Sequence, residues 1–157
     1  MARYAENTNV NVERSRAEIE RTLQRYGAEK FVSGWDQASA TIGFVFRGRA
    51  FKLSLNLPDR ADFQNTPAGR RRRNPDDALR AWEQACREDW RALCLLVKAK
   101  LVAVEQGVAT LEDEFLAYTC LPSGQTVSGW LQPQIQQAIE TRQMPLALLV
   151  EAPQGGK

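Results

Sequence analysis

Histidine is absent from this sequence of 157 residues. That removes histidine triads, histidine general bases and most zinc or non-haem iron sites. Cysteine is scarce and odd in number: Cys86, Cys94 and Cys120 show no CxxC spacing. A structural disulfide framework is therefore not expected, and a reducing cytoplasm is the natural setting. Without a histidine base, a thiol-protease arrangement is disfavoured too. Glycines 43, 48, 69, 107 and 124 fall at strands, turns or caps, never in GxxxxGK or GxGxxG spacing, so nucleotide hydrolysis and dinucleotide redox lack a motif. Long hydrophobic runs are missing as well. Leu146 to Val150 is one such run, far short of the roughly 18 residues that suggest a membrane span. Met1 to Val12 is polar, without the apolar core of a signal peptide.

What remains is 43% hydrophobic and 25% charged, near the globular average, which disfavours wholesale disorder. The length fits a single domain over 1–157 that can bury a core without disulfides or metal. The net charge of +2 hides an asymmetry. Met1 to Arg73 carries 14 basic and 8 acidic residues, a charge of +6; Asn74 to Lys157 carries 7 and 11, a charge of −4. A positive N-terminal portion suits an anionic polymer, and an acidic C-terminal portion suits water or a basic partner.

Along the chain, residues 1–11 read as an extended arm, with Val10 and Val12 candidates for a short edge strand. Ser15-Arg16-Ala17-Glu18 has capping-box form. Ile19, Leu23 and Tyr26 follow at helical spacing, and Gly27 sits where a left-handed C-terminal cap belongs. These signals predict a helix over 15–26. Phe31 to Trp35 is aromatic and β-branched, and Asp36-Gln37 suits a turn. Residues 38–46 and 49–57 alternate apolar with polar around Arg47-Gly48, the period of strands with one buried face. Residues 58–74 form a long basic loop with Phe63 as its one large apolar anchor; loops of such length are usually functional or mobile.

Asn74-Pro75-Asp76-Asp77 is a strong helix start, and apolar spacing from Trp82 to Val104 predicts about 30 helical residues. That exceeds what a three-stranded sheet covers, so part of the 76–105 helix is expected to meet other helices or a second copy of the chain. Thr110 caps a shorter helix, Leu121 to Gln125 turns, and Thr126 starts a last helix. There Pro133 marks either the true first turn or a kink. Residues 151–157 read as a flexible tail. The fold class is thus α+β: an N-terminal helix, a three-stranded antiparallel meander, a long helix, then two shorter helices. Helix 15–26 and the front of the long helix should cover the meander.

Among chemical signals the sharpest is Arg70-Arg71-Arg72-Arg73. Guanidinium groups fork onto phosphate oxygens and release condensed counterions, so nucleic-acid contact competes evenly with a merely solvated basic loop. Arg47, Arg49 and Lys52 on the hairpin add to the candidate set. Glu112-Asp113-Glu114 suggests hard-cation ligation, but their place in a helix's first turn explains them without a metal. Arg87, Arg91, Lys98 and Lys100 read as solvated surface before they read as a phosphate track. Trp82, Trp90 and Trp130 fall at apolar helical positions and are expected in the core, as are Cys86 and Cys94. Trp35, near a strand end, is the best-placed of the four for base stacking, though packing is expected of it ahead of stacking. No catalytic set, metal site or cofactor site assembles from these residues, and a non-enzymatic role is expected.

VERSRAEIERTLQRYGA, LPDR, AWEQACREDWRAL with VKAKLVAVEQG, and LPSGQTV together resemble a family of small tailed-phage and prophage proteins. The resemblance spans nearly the whole chain but transfers no residue-level chemistry. It implies a phage-encoded cytoplasmic protein of the bacterial host, expressed with replication or recombination functions. The expected partner is nucleic acid. The alternative is a protein-interaction module that binds or inhibits a host or phage protein, such as a defence component.

Overall fold

The computed structural model describes residues 8–36, 38–69 and 71–144. Most of the expected N-terminal arm, Arg70 of the basic run, and the expected tail lie outside the described residues. Helix α1 runs from Val12 to Arg25. Its cap is Asn11, whose Oδ1 accepts from the Arg14 amide at 2.8 Å, so Ser15 is not the cap. Asn caps as well as Ser, and the earlier start brings Val12 against the core as a helical residue, not a strand residue. Ser15 is then fully buried one turn in, and its hydroxyl meets no hydrogen-bond partner among the described residues. At the other end, Gly27 (φ +98°) and Ala28 donate back to Gln24 and Leu23. This is the paired closure that a left-handed glycine permits.

Strands β1 (Lys30–Trp35), β2 (Ser39–Phe46) and β3 (Arg49–Asn56) form an antiparallel meander in the order β1-β2-β3. The register pairs Phe31 with Phe44 and Phe44 with Phe51, so strand alternation puts 42, 44, 51 and 53 on the core face. Asp36 closes the first turn, accepting from the Ala38 and Ser39 amides at 2.8 and 2.7 Å. Phe44, Phe51 and Phe115 meet with centroids 5.1 to 5.7 Å apart, in one stacked and two edge-on pairs. Truncating a fully buried ring such as Phe115 to alanine costs about 3–5 kcal/mol.

Helix α2 spans Pro75–Glu105, capped by Asn74. The stretch from Trp90 to Leu101, in the rear half of the helix, joins the core with Ile19 and Leu23 of α1. The expected cover was the front of this helix. That front packs instead on the 58–74 segment, where Trp82 Nε1 donates to the Pro58 carbonyl at 2.8 Å. Helix α3 is short, Leu111–Phe115, and passes into a 3₁₀ turn over Leu116–Tyr118. The chain then flanks β3, the Cys120 amide donating to the Ala50 carbonyl at 2.8 Å. Helix α4, Val127–Thr141, starts at Thr126 and runs through Pro133. None of its residues is buried, and Trp130, expected in the core, is 41% exposed. Among the described helices and strands, the 3₁₀ turn Leu116–Tyr118 is what packs closely on α4, which leaves its apolar side chains little described surface to pack into.

Candidate nucleic-acid interface

The 58–74 segment is folded throughout its described length. Pro58 ends β3, and Asp59 caps a 3₁₀ turn over Arg60–Phe63 by accepting from the Ala61 amide at 2.9 Å. Thr66-Pro67-Ala68-Gly69 makes a tight turn in which Gly69 (φ +65°) donates to the Thr66 carbonyl at 2.7 Å. Proline presets the second residue of such a turn, and glycine takes the left-handed position. Asn65 pairs with Arg72, and the Arg73 amide donates to the Gln64 carbonyl. The result is a small hairpin in place of an open loop.

That hairpin separates the arginines by role. Arg73 turns inward, its guanidinium donating to the Phe63 and Asn65 carbonyls at 3.2 and 2.7 Å. Arg73 therefore holds the loop through Nη1 while still lining the clefts beside it. Arg71 and Arg72 are exposed, and their side chains form no hydrogen bond or ion pair with a described residue.

Three clefts follow one another here, of about 650, 500 and 670 Å³. The first lies between Trp35 and Trp82, the second between Trp82 and Arg72, and the third along Arg71, Arg72 and Arg80. Arg60 and Trp82 wall the first two, and Arg72 and Arg73 wall the last two, so the clefts adjoin in a row, a furrow in three parts. Arg60 lies flat over the Trp82 ring at 4.1 Å, an arrangement that orients a guanidinium while leaving its edge for an anion. Trp35 stands 75% exposed at the furrow's far end.

Five arginines line the furrow against Asp36, Asp59 and Asp77. Each aspartate already has partners. The Ala38 and Ser39 amides hold the Asp36 carboxyl below the usual carboxylate range. Arg80, at 2.5 Å, does the same for Asp77. Asp36 and Asp59 thus sit at the Trp35 end, while the third cleft sets Arg71, Arg72, Arg73 and Arg80 against the single carboxylate of Asp77, on which Arg71 also acts.

The other expected site residues lie elsewhere. Arg47 and Arg49 flank the β2–β3 turn at the opposite end of the strands, roughly 23 Å from the furrow over eight residues of β3. Arg49 also pairs with Glu112 at 3.1 Å. Lys52 is exposed on the open face of the sheet, level with Gly43. The hairpin cations therefore do not join the furrow.

The remaining charges tie elements together. Glu18 of α1 accepts from Arg91 at 2.7 Å and from Lys98, both on α2. Lys100 binds the carbonyl and carboxylate of Glu114 at 2.9 and 3.0 Å, and Asp113 accepts from its cap residue Thr110. Arg91, Lys98 and Lys100 are thus inter-helix ties, neither plain surface nor a phosphate track. No group of three or more potential metal ligands clusters among the described residues. No described helix is long and apolar enough to cross a membrane. Sequence reasoning missed Arg60 and Arg80. The 21 residues between Arg60 and Trp82 carry no pattern that announces their contact, but Asp77 and Arg80 at i, i+3 on a helix start were a readable pair. No protein-family model, curated protein or solved structure matches this chain.

Proposed function

We infer that this chain is a non-catalytic nucleic-acid-binding accessory protein. The resemblance drawn from its sequence adds a phage replication or recombination role in the cytoplasm of the bacterial host. The observation carrying the inference is the furrow that joins exposed Arg71 and Arg72 to an exposed tryptophan. Exposed guanidinium groups without internal partners bind phosphate at little desolvation cost. Supporting a non-catalytic role, Glu112 and Glu114 are engaged by Arg49 and Lys100.

The test is a salt titration of oligonucleotide binding. Replacing Arg71 and Arg72 with alanine should flatten the log–log salt slope by about 1.8 on duplex or about 1.4 on a single strand if both touch phosphate. Affinity should fall alike on unrelated sequences, because phosphate contacts position without reading bases. Absence of binding at low salt defeats the inference. Metal-dependent cleavage of plasmid that vanishes on Glu112→Ala or Glu114→Ala defeats its non-catalytic part.

A second reading, a protein-interaction module, is favoured by α4. Ile135 and Ile139 lie one turn apart on one face of it and are 40% and 67% exposed, with Trp130, 41% exposed, on another face. An apolar helical stripe of that kind fits a partner's groove or helix. A stoichiometric host protein that survives nuclease treatment and is lost on Ile139→Glu would put this reading first.

A further inference from the structure

We propose that the furrow takes a single-stranded polynucleotide, with an unstacked base lying on Trp35 and the phosphates following Arg71 and Arg72. The proposal rests on the nucleic-acid reading above and narrows it to one class of ligand. Trp35 ends edge strand β1, on the same side of the sheet as its register partner Ala40, yet Ala40 is buried while Trp35 is 75% exposed. No helix among the described residues covers it, so a large indole ring stands exposed beside a cleft of about 650 Å³.

The charges of the furrow are graded along its length. Asp36 and Asp59 line the Trp35 end with Arg60 as the one cation, and Arg71, Arg72, Arg73 and Arg80 line the other with Asp77 as the one anion, so the balance passes from negative to positive. A phosphate is repelled where the aspartates lie, while a neutral base is not. The anionic aromatic end therefore suits a base and the cationic end suits backbone. Trp82 lies between them with Arg60 flat on its ring at 4.1 Å, so this ring is already occupied and Trp35 is the open platform. In a duplex, bases are stacked on one another and offer an indole no free face except at an end. In a single strand they do offer one, and such stacking tolerates any base.

The experiment measures binding of labelled oligothymidylate, oligouridylate and a hairpin duplex to the wild-type chain, Trp35→Ala, Trp35→Phe and the Arg71→Ala/Arg72→Ala pair. Trp35 is exposed enough that its loss leaves the fold intact, which circular dichroism checks. One stacked base predicts a loss of about 5- to 140-fold in single-strand affinity for Trp35→Ala. Trp35→Phe should retain most of the affinity, the salt slope should not move, and duplex binding should be unaffected. Whichever of the two single strands loses affinity through Trp35 identifies the sugar. Binding that needs Arg71 and Arg72 but is untouched by Trp35→Ala, or that prefers duplex, overturns the single-strand proposal and leaves the nucleic-acid reading standing. Binding to none of the three at low salt removes both.

Discussion

Replacing Glu18 with glutamine tests whether the pairing of α1 with α2 is electrostatic as well as apolar. The carboxylate is only 24% exposed and accepts from Arg91, 23% exposed, at 2.7 Å and from Lys98, 38% exposed. Exposed pairs contribute about 0–1 kcal/mol, whereas breaking a fully buried pair costs about 3–5 kcal/mol. A group three-quarters covered with two cationic partners falls between, and Glu18→Gln should cost about 1–2 kcal/mol near neutral pH. Glutamine keeps the shape and one of the two acceptor oxygens, so the loss reports the charge together with one hydrogen bond. The pH dependence has a definite sign. The Lys98 hydrogen bond, then Arg91, holds the Glu18 carboxyl below its ordinary value of 4.5. The folded chain therefore binds fewer protons at this site than the unfolded chain. Its contribution is fully present above the unfolded value and is lost as pH falls through the folded one. Urea unfolding followed by tryptophan fluorescence, at about pH 7 and about pH 3.5, measures both stabilities. The gap between wild type and Glu18→Gln should narrow at the lower pH. A gap below about 0.3 kcal/mol at neutral pH, or one that stays constant on acidification, refutes the electrostatic account.

Three further outcomes are expected. Ser15→Ala should stabilise the fold by about 0.5–1 kcal/mol, because the buried hydroxyl lacks a partner; a lower urea midpoint would contradict this. Arg47 holds a left-handed backbone (φ +49°) in the β2–β3 turn beside Gly48. Arg47→Asn, which creates the favoured Asn-Gly pair, should therefore raise stability by about 0.5–1 kcal/mol, read from the same midpoint, while changing oligonucleotide affinity less than the Arg71/Arg72 pair does. Burial pushes the Cys86 and Cys94 thiols up, and the second is raised further by Glu18. With a thiol reagent at neutral pH, Cys120 should react first and the other two only on unfolding, a sequence that peptide mass mapping resolves.

Signals confined to a few neighbouring residues were legible in the sequence. Alternation in 38–46 and 49–57, punctuated by Arg47-Gly48 and Pro58, sets the hairpin, and Asn74-Pro75-Asp76-Asp77 sets the start of α2. The start of α1 was harder because Asn11 and Ser15 are both competent caps four residues apart. Long-range partners decide between them: Val12 gains a place against the core, and Glu18 gains Arg91 and Lys98, 73 and 80 positions away. Spacing along α4 marks an apolar stripe but says nothing about what covers it, which is why Trp130 reads as core and lies exposed. Trp35 shows the same limit in a strand.

The four adjacent arginines are chemically identical in the sequence, and the fold makes them unlike. Arg73 is taken up by two carbonyls of its own hairpin, so a run of charge includes a structural member. The reverse holds for Arg60 and Arg80, isolated in sequence yet brought to the furrow by the 3₁₀ turn and the first turns of α2. Charge counted over half a chain misleads for a related reason. Acids of the C-terminal half pair with groups of the N-terminal half, Glu112 with Arg49 and Glu105 with the Tyr26 hydroxyl at 2.6 Å. The first contact neutralises Arg49 and the second sets a carboxylate beside the end of α1, so both lower the positive potential at the hairpin end of the molecule. Among the described residues Arg71 and Arg72 escape that cancellation, because the hairpin of 64–73 holds their side chains away from every acid except the already paired Asp77. An anion therefore finds its favourable approach along the furrow, not at the β2–β3 turn where three cations lie close in sequence.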